Sequence, residues 1–279
     1  MKPAPFDFFC AGTVDEAVAL LARLGEDARP VAGGQSLVPA MNLRMATPTA
    51  LVDISRIAEL RGWRQVGDRI HIGAATTQAE LMRDSDLAVR LPLLAAALPN
   101  IGHVQTRSRG TIGGSLVNAD PSAEIGLVAA TLEAILVLRS AQGERRLAAR
   151  EFQLGALTTA IAPGELLVEI IMPTAPAGAR CAFRELARRH GDFALVAVAV
   201  QRSAGELKVG IGGLEEAPRR CDRLTARLAE EGFAADAIDD AVRVELADVA
   251  PLSDIHASGD YRRHLAAVLL KDCLMDVLR

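Results

Sequence analysis

The sequence predicts an α+β protein in three units: a small β-α-β unit, a mixed middle unit, and a C-terminal unit of sheet plus helices. Three observations carry this. Apolar residues recur at helical spacing in some segments and alternate in others. Cap and turn residues punctuate those segments. The 279 residues, half of them apolar, suffice for two or three compact units at roughly 100–200 residues each. Aromatics make up only 3 %, so the core must rest on Ala, Leu, Val and Ile.

The elements follow in order. Thr13 and Glu16 form a capping-box pattern ahead of Ala17, Leu20, Leu21 and Leu24, and Gly25 is placed to stop that helix. "ARPVAGG" reads as a buried strand entering a glycine turn. Segments 50–57 and 69–77 read as strands, and 76–98 as a helix in two pieces broken at Pro92. Segment 132–152 reads as a hairpin turning near Gln142-Gly143, and 165–173 as a strand ending at proline. The Pro/Ala/Gly-rich stretch 174–180 reads as a linker. Segments 194–203 and 206–214 then form an antiparallel pair turning near Gly205, followed by helices. In the last helix Leu265, Val268, Leu269, Cys273 and Val277 are expected to share a buried face.

Composition excludes several classes. Net charge is −4 with no long run of one sign, which argues against a nucleic-acid binder. The first residues lack a signal-like apolar run, and the most apolar window, 127–138, is interrupted by Glu133. No membrane insertion and a cytoplasmic location are therefore expected. Cys10, Cys181, Cys221 and Cys273 have neither C-x-x-C spacing nor a histidine at zinc-ligand spacing, so no metal or iron–sulfur site is expected on this chain.

Two loops repeat one device: "VAGGQSLVPAMNLR" at 31–44 and "RGTIGGSLVNADPSAE" at 109–124. Glycine permits a positive φ and removes the Cβ that would block a ligand. Successive free N–H groups in such a turn make an anion-binding concavity. Gln35 and Ser36 add donors in the first loop, and Thr111 and Ser115 flank Gly113-Gly114 in the second. Two such nests could hold a pyrophosphate from opposite sides. Neither is a P-loop or a dinucleotide fingerprint. Either pair alone could be only a tight turn. Asn118, Asp120 and Glu124 suit sugar hydroxyls, though "ADPSAE" could equally cap a helix.

"AGGQSL", "IGHVQTRSRGTIGGSLVNADPSAE", "GELLVEIIMP" and "FRELARRHGDFALVAVAV" occur in this order. Together they resemble the FAD-binding medium subunit of the molybdenum hydroxylases, the type found in aerobic carbon monoxide dehydrogenase and xanthine dehydrogenase. The resemblance spans essentially the whole chain. It implies an FAD-binding fold of the vanillyl-alcohol oxidase type in two subdomains, residues 1–55 and 56–175. A C-terminal domain of three-stranded antiparallel sheet and helices, residues 176–279, would follow.

It also implies that Ala32, Gly33, Gly34, Gln35 and Ser36, with Thr111, Gly113, Gly114 and Ser115, clasp the FAD pyrophosphate. Asn118, Asp120 and Glu124 would contact ribityl, ribose or adenine groups. Ile101 and Leu167 would flank the flavin or adenine, and Asp192 and Phe193 would lie near the isoalloxazine. Gln35 and Asn118 stand where histidine is common in some members, and Thr106 and Ser108 where Ile and Asn are commoner. These departures leave the subfamily open, and the run before "TIGG" differs from that of the carbon monoxide members, so carbon monoxide is not the favoured substrate.

The implied role is electron transfer, from [2Fe–2S] clusters of a small subunit to FAD and on to an external acceptor. A large subunit would carry the molybdenum cofactor, in a dimer of heterotrimers. No residue here is expected to be catalytic. His103 reads as a structural histidine, and "RRH" at 188–190 as either a docking patch or a solvated loop. Two alternatives stay open: a free-standing FAD-dependent reductase of the same fold, and a non-catalytic nucleotide-binding assembly subunit.

Overall fold

The computed structural model describes residues 2–279. The first unit holds β1 (Asp7–Cys10), α1 (Val14–Leu24), β2 (Ala28–Val31), α2 (Leu37–Asn42) and β3 (Ala50–Asp53). Its sheet is parallel, in the order β1-β3-β2. Local chemistry sets α1: the Thr13 hydroxyl accepts the Glu16 N–H, and Gly25 ends the helix at φ 78°. Val14, Ala17, Val18 and Leu21 pack into a small core with Val52, Ile54 and Ile57.

In the middle unit come β4 (Trp63–Val66), β5 (Arg69–Gly73), α3 (Gln78–Arg83), α4 (Ser85–Arg90), α5 (Pro92–Ala97), α6 (Val104–Arg107), α7 (Ile112–Asn118) and α8 (Glu124–Thr131). They are followed by β6 (Ile135–Ser140), β7 (Gly143–Ala148), α9 (Ala149–Phe152), β8 (Gln153–Gly155), β9 (Thr158–Thr159) and β10 (Leu166–Pro173). The five-stranded antiparallel sheet runs β4-β5-β10-β6-β7. The hairpin β6–β7 turns at Ala141-Gln142, as the sequence predicts.

Segment 76–98 corrects the two-piece helix: it forms three helices. Asp84 ends one and caps the next, accepting the Leu87 N–H at 2.9 Å and the Trp63 indole N–H at 2.6 Å. Pro92 opens the third helix at its first position, where its missing N–H costs nothing.

The C-terminal unit consists of β11 (Arg180–Ala187), β12 (Ala194–Ser203), β13 (Glu206–Gly212), β14 (Arg219–Arg220), α10 (Asp222–Glu231), α11 (Ala235–Leu246) and α12 (Gly259–Leu278). Three long antiparallel strands make its sheet, and the two-residue β14 extends one edge. On α12 the buried face is Leu265, Ala266, Leu270, Cys273, Leu274 and Val277, while Val268 is 42 % exposed. The expected stripe was displaced by part of a turn, because Ala266 and Leu270 face the sheet instead.

β12 explains its own unbroken apolar run. Val196, Val198 and Val200 enter the C-terminal core, and Ala197 and Ala199 enter the middle one. A strand covered on both faces has no reason to alternate with polar residues. Helix α8, buried at every residue, packs on this sheet. A Cβ on Gly210 of β13 would overlap the Thr131 hydroxyl and lie 3.0 Å from Leu127 Cδ1. Glycine is what lets helix and sheet approach so closely.

Candidate flavin-nucleotide site

The two glycine loops meet. A Cβ on Gly33 would overlap the Arg109 carbonyl oxygen and lie 2.7 Å from its carbon and 3.0 Å from the Gly110 Cα. The backbone of the first loop therefore rests directly on the start of the second. Gly34 turns the chain at φ 70°, a conformation that disfavours any side chain. The sequence reading named both glycine pairs. It missed Arg109 and Gly110 as the seat, because this contact is set by tertiary packing.

The loops are not equivalent. Among the described residues, no chain atom accepts a hydrogen bond from the N–H groups of Ala32, Gly33, Gly34, Gln35, Ser36 or Leu37. Gln35 Nε2 donates to the Gly33 carbonyl at 3.2 Å, and Ser36, at the start of α2, makes no side-chain cap bond. This loop is a row of free donors.

In the second loop the donors are taken. Ile112 N–H donates to Thr76 O at 3.0 Å, Gly113 N–H to Ala74 O at 2.9 Å, and Ser115 N–H to Thr111 O at 3.1 Å. Gly114 N–H donates to the Thr111 hydroxyl at 3.0 Å. The expectation of a second nest of free N–H groups is thus corrected. The carbonyls of Ala74 and Thr76, which no local pattern brings here, consume the first two, and Thr111 at the helix start takes the other two. A Cβ on Gly113 would lie 2.6 Å from the Ala74 Cβ, so this glycine is needed for packing.

Arg107, also missed, is buried and donates to the carbonyls of Ile101 at 2.7 Å and Gly102 at 2.9 Å. Among the described residues it has no carboxylate partner. A buried, unneutralised guanidinium in the lead-in to the second loop favours an anion nearby.

Beyond α7 the chain passes through Ala119, a left-handed residue at φ 51°, into "DPSAE". Asn118 and Asp120 are half-buried, and Glu124 is 5 % exposed at the start of α8. The Asp120 carboxylate accepts the Ser122 N–H at 2.9 Å. Burial raises the Asp120 pKa above its usual value. Burial, with the Asp120 charge adding to it, lifts Glu124 to about 7. Glu185 on β11 rises to about 8 through burial and the Glu124 charge, and its Oε2 is buried without a partner. Sequence patterns offered no sign of Glu185, since it arrives from the C-terminal unit.

Ile101 lies at the margin of the middle core, 8 % exposed. Leu167 pairs with Leu138 inside the five-stranded sheet and is 2 % exposed. Asp192 and Phe193 lie exposed in the turn between β11 and β12, Phe193 at 64 %. The neighbouring Gly191 brings that turn against His103. Of the thiols, Cys221 and Cys273 are buried, Cys181 half-buried and Cys10 exposed.

The chain belongs to the flavin subunits of the molybdenum hydroxylases. Residues 4–175 match the FAD-binding domain in molybdopterin dehydrogenase, and residues 181–277 the CO dehydrogenase flavoprotein C-terminal domain. The chain is 39 % identical over 276 residues to the carbon monoxide dehydrogenase medium chain of Afipia carboxidovorans, covering 97 % of this chain and 96 % of that one. It is 36 % identical over 284 residues to subunit alpha of the 6-hydroxypseudooxynicotine dehydrogenase complex of Paenarthrobacter nicotinovorans, covering 100 % and 96 %.

The structure of carbon monoxide dehydrogenase from Hydrogenophaga pseudoflava superposes with a TM-score of 0.96 at 36 % identity, covering 100 % of this chain and 99 % of that one. Quinoline 2-oxidoreductase from Pseudomonas putida superposes at 0.93 and 32 % identity, covering 99 % and 98 %. The fold class that the resemblance implied is the one observed, and the cofactor of this chain is FAD.

Proposed function

We propose that the chain is an electron-transfer subunit, taking electrons from [2Fe–2S] clusters of a small partner subunit and passing them through FAD to an external acceptor. The observation that carries the binding part of this reading is the junction of Gly33 with Arg109-Gly110 beneath a row of free N–H groups. Such a row fits the pyrophosphate of FAD without a lysine. Ala32, Gly33, Gly34, Gln35 and Ser36 supply the donors, while Thr111, Gly113, Gly114 and Ser115 form a stiff opposing wall.

Asn118, Asp120 and Glu124 meet ribityl, ribose or adenine groups, and a protonated Glu124 can donate as well as accept. Ile101 contributes an apolar flank, and Asp192 and Phe193 border the isoalloxazine. When bound, FAD supplies the redox chemistry, and the chain supplies binding and orientation. The three units, residues 1–55, 56–175 and 176–279, divide that work.

The partners in this reading are a large subunit with the molybdenum cofactor and a small iron–sulfur subunit, assembled as a dimer of heterotrimers in the cytoplasm. The relatives' names point to multi-subunit dehydrogenases of quite different substrates, which fits substrate choice residing on the large subunit. Among the described residues, no helix is long and apolar enough to cross a membrane.

The test is purification of the assembled complex with mass identification of its subunits, followed by rapid mixing with substrate. The flavin band should bleach after the iron–sulfur band begins to change. Denaturation should release FAD rather than FMN. A flavin that stays oxidised while the clusters reduce sinks the electron-transfer reading.

A further inference from the structure

The turn 188–193 is closed by the Asp192 N–H donating to the Arg189 carbonyl at 3.1 Å. Arg188 Nη1 lies 3.0 Å from His256 Nδ1, which ties one side of the turn to the C-terminal unit. The other side rests on the middle unit. Gly191 has φ 88°, and a Cβ there would overlap the His103 Cε1 and lie 2.6 Å from Nδ1 and 2.9 Å from Nε2. All three atoms belong to one imidazole ring, itself exposed, so Gly191 sits on the ring and a methyl group there would have to push the ring aside.

His103 is extended, at φ −108° and ψ 169°, and precedes α6. Among the described residues its side chain makes no hydrogen bond within the chain. What the ring offers is therefore a flat surface. Two residues beyond Gly191, Phe193 stands 64 % exposed.

We propose that His103 is a positioning residue: its ring is the seat that holds the turn carrying Asp192 and Phe193 beside the second glycine loop, so that Phe193 forms a wall of the flavin pocket. This rests on the reading of Phe193 as a flavin neighbour. The seat spans two units of the chain, so it also fixes the C-terminal turn against residues that lead into the nucleotide site. The grip on the pyrophosphate lies elsewhere, in residues 32–36. Losing the seat should open the flavin to solvent and leave FAD affinity nearly intact.

Two readouts on the full chain loaded with FAD test this: trypsin cleavage after Arg188 and Arg189, and the rate at which oxygen reoxidises the dithionite-reduced flavin. His103→Ala should raise cleavage at those two sites about tenfold, because cleavage tracks the population of the open turn. It should also change the reoxidation rate severalfold, with FAD affinity held within about threefold. His103→Phe, which keeps a flat ring, should restore both. Gly191→Ala should reproduce His103→Ala with the histidine intact, and it serves if His103→Ala does not fold.

Phe193→Ala should change reoxidation without changing cleavage. Because Gly191 has φ 88°, Gly191→Ala also strains the turn itself, so His103→Ala decides: if it folds and leaves cleavage unchanged, the seat is refuted. If Phe193→Ala leaves the flavin rate unchanged, the reading of Phe193 is refuted, and with it the consequence drawn for the pocket.

Discussion

The two glycine loops are written in nearly the same letters and are built for opposite tasks. In residues 32–36 the backbone keeps its donors free, and Ser36 has an uncommitted hydroxyl. In residues 111–115 the N–H groups beyond Thr111 are tied to Ala74, Thr76 and Thr111 itself. One loop is a binding surface and the other is the masonry behind it. The lesson is that a glycine pair reports a close approach, and only the neighbours reveal whether the guest is a ligand or the protein's own chain.

The largest effect should come from Gly33→Ala. Its methyl would overlap the Arg109 carbonyl, and the half-exposed first loop would lift away. FAD affinity should fall at least about a hundredfold, roughly 3 kcal/mol, in a titration of flavin absorbance, with a smaller loss of apoprotein stability. Gly113→Ala should reverse those weights. Crowding Ala74 inside the fold should cost about 2–3 kcal/mol, seen as a lower Tm with or without FAD. If both variants lose affinity and Tm in the same proportion, the distinction between the loops fails.

Glu124→Gln sharpens the picture at the far end of the second loop. The Glu124 pKa is raised from 4.5 to about 7. The folded state therefore binds its proton more tightly than the unfolded chain. The resulting stability is fully present below 4.5 and is lost as pH rises through 7. Replacing it with neutral Gln should leave stability unchanged in acid and raise it near about pH 8 by an amount of order 2 kcal/mol, read as a higher Tm. A variant whose advantage does not grow with pH would show that Glu124 is not carrying this proton.

Two smaller effects complete the series. Thr111→Val removes the acceptor of the Gly114 N–H and should cost about 1 kcal/mol of stability, measured by denaturant unfolding. Ser36→Ala should leave stability unchanged and weaken FAD binding by about 1 kcal/mol or less, measured by titration.

What the sequence made legible was local. Thr13, Glu16 and Gly25 act within one helix, and the turns at 141–142 and 204–205 connect adjacent strands, so nearby residues suffice to specify them. The illegible parts depend on distant partners. The break at Asp84 rests on a local cap to Leu87, but the Trp63 indole that also holds its carboxylate comes from β4. β4, "WRQV", is a largely exposed edge strand with no apolar alternation to mark it. The seat of Gly33 and the occupied donors of Ile112 and Gly113 depend on chain segments more than thirty residues away. The site letters could thus be named before the structure, but the free loop could not be told from the filled one.

The two faces of β12 have a consequence for making hybrids. Ala197 and Ala199 give the middle core its methyl-sized contacts, while Val196, Val198 and Val200 serve the helices behind. Residues 181–277 could be exchanged with those of a relative only if the incoming strand carries the same small residues toward the host. A graft with valine at 197 or 199 would wedge apart a boundary that the linker at 174–180 makes look severable. In this protein the place where the chain is easiest to cut is not the place where the molecule comes apart.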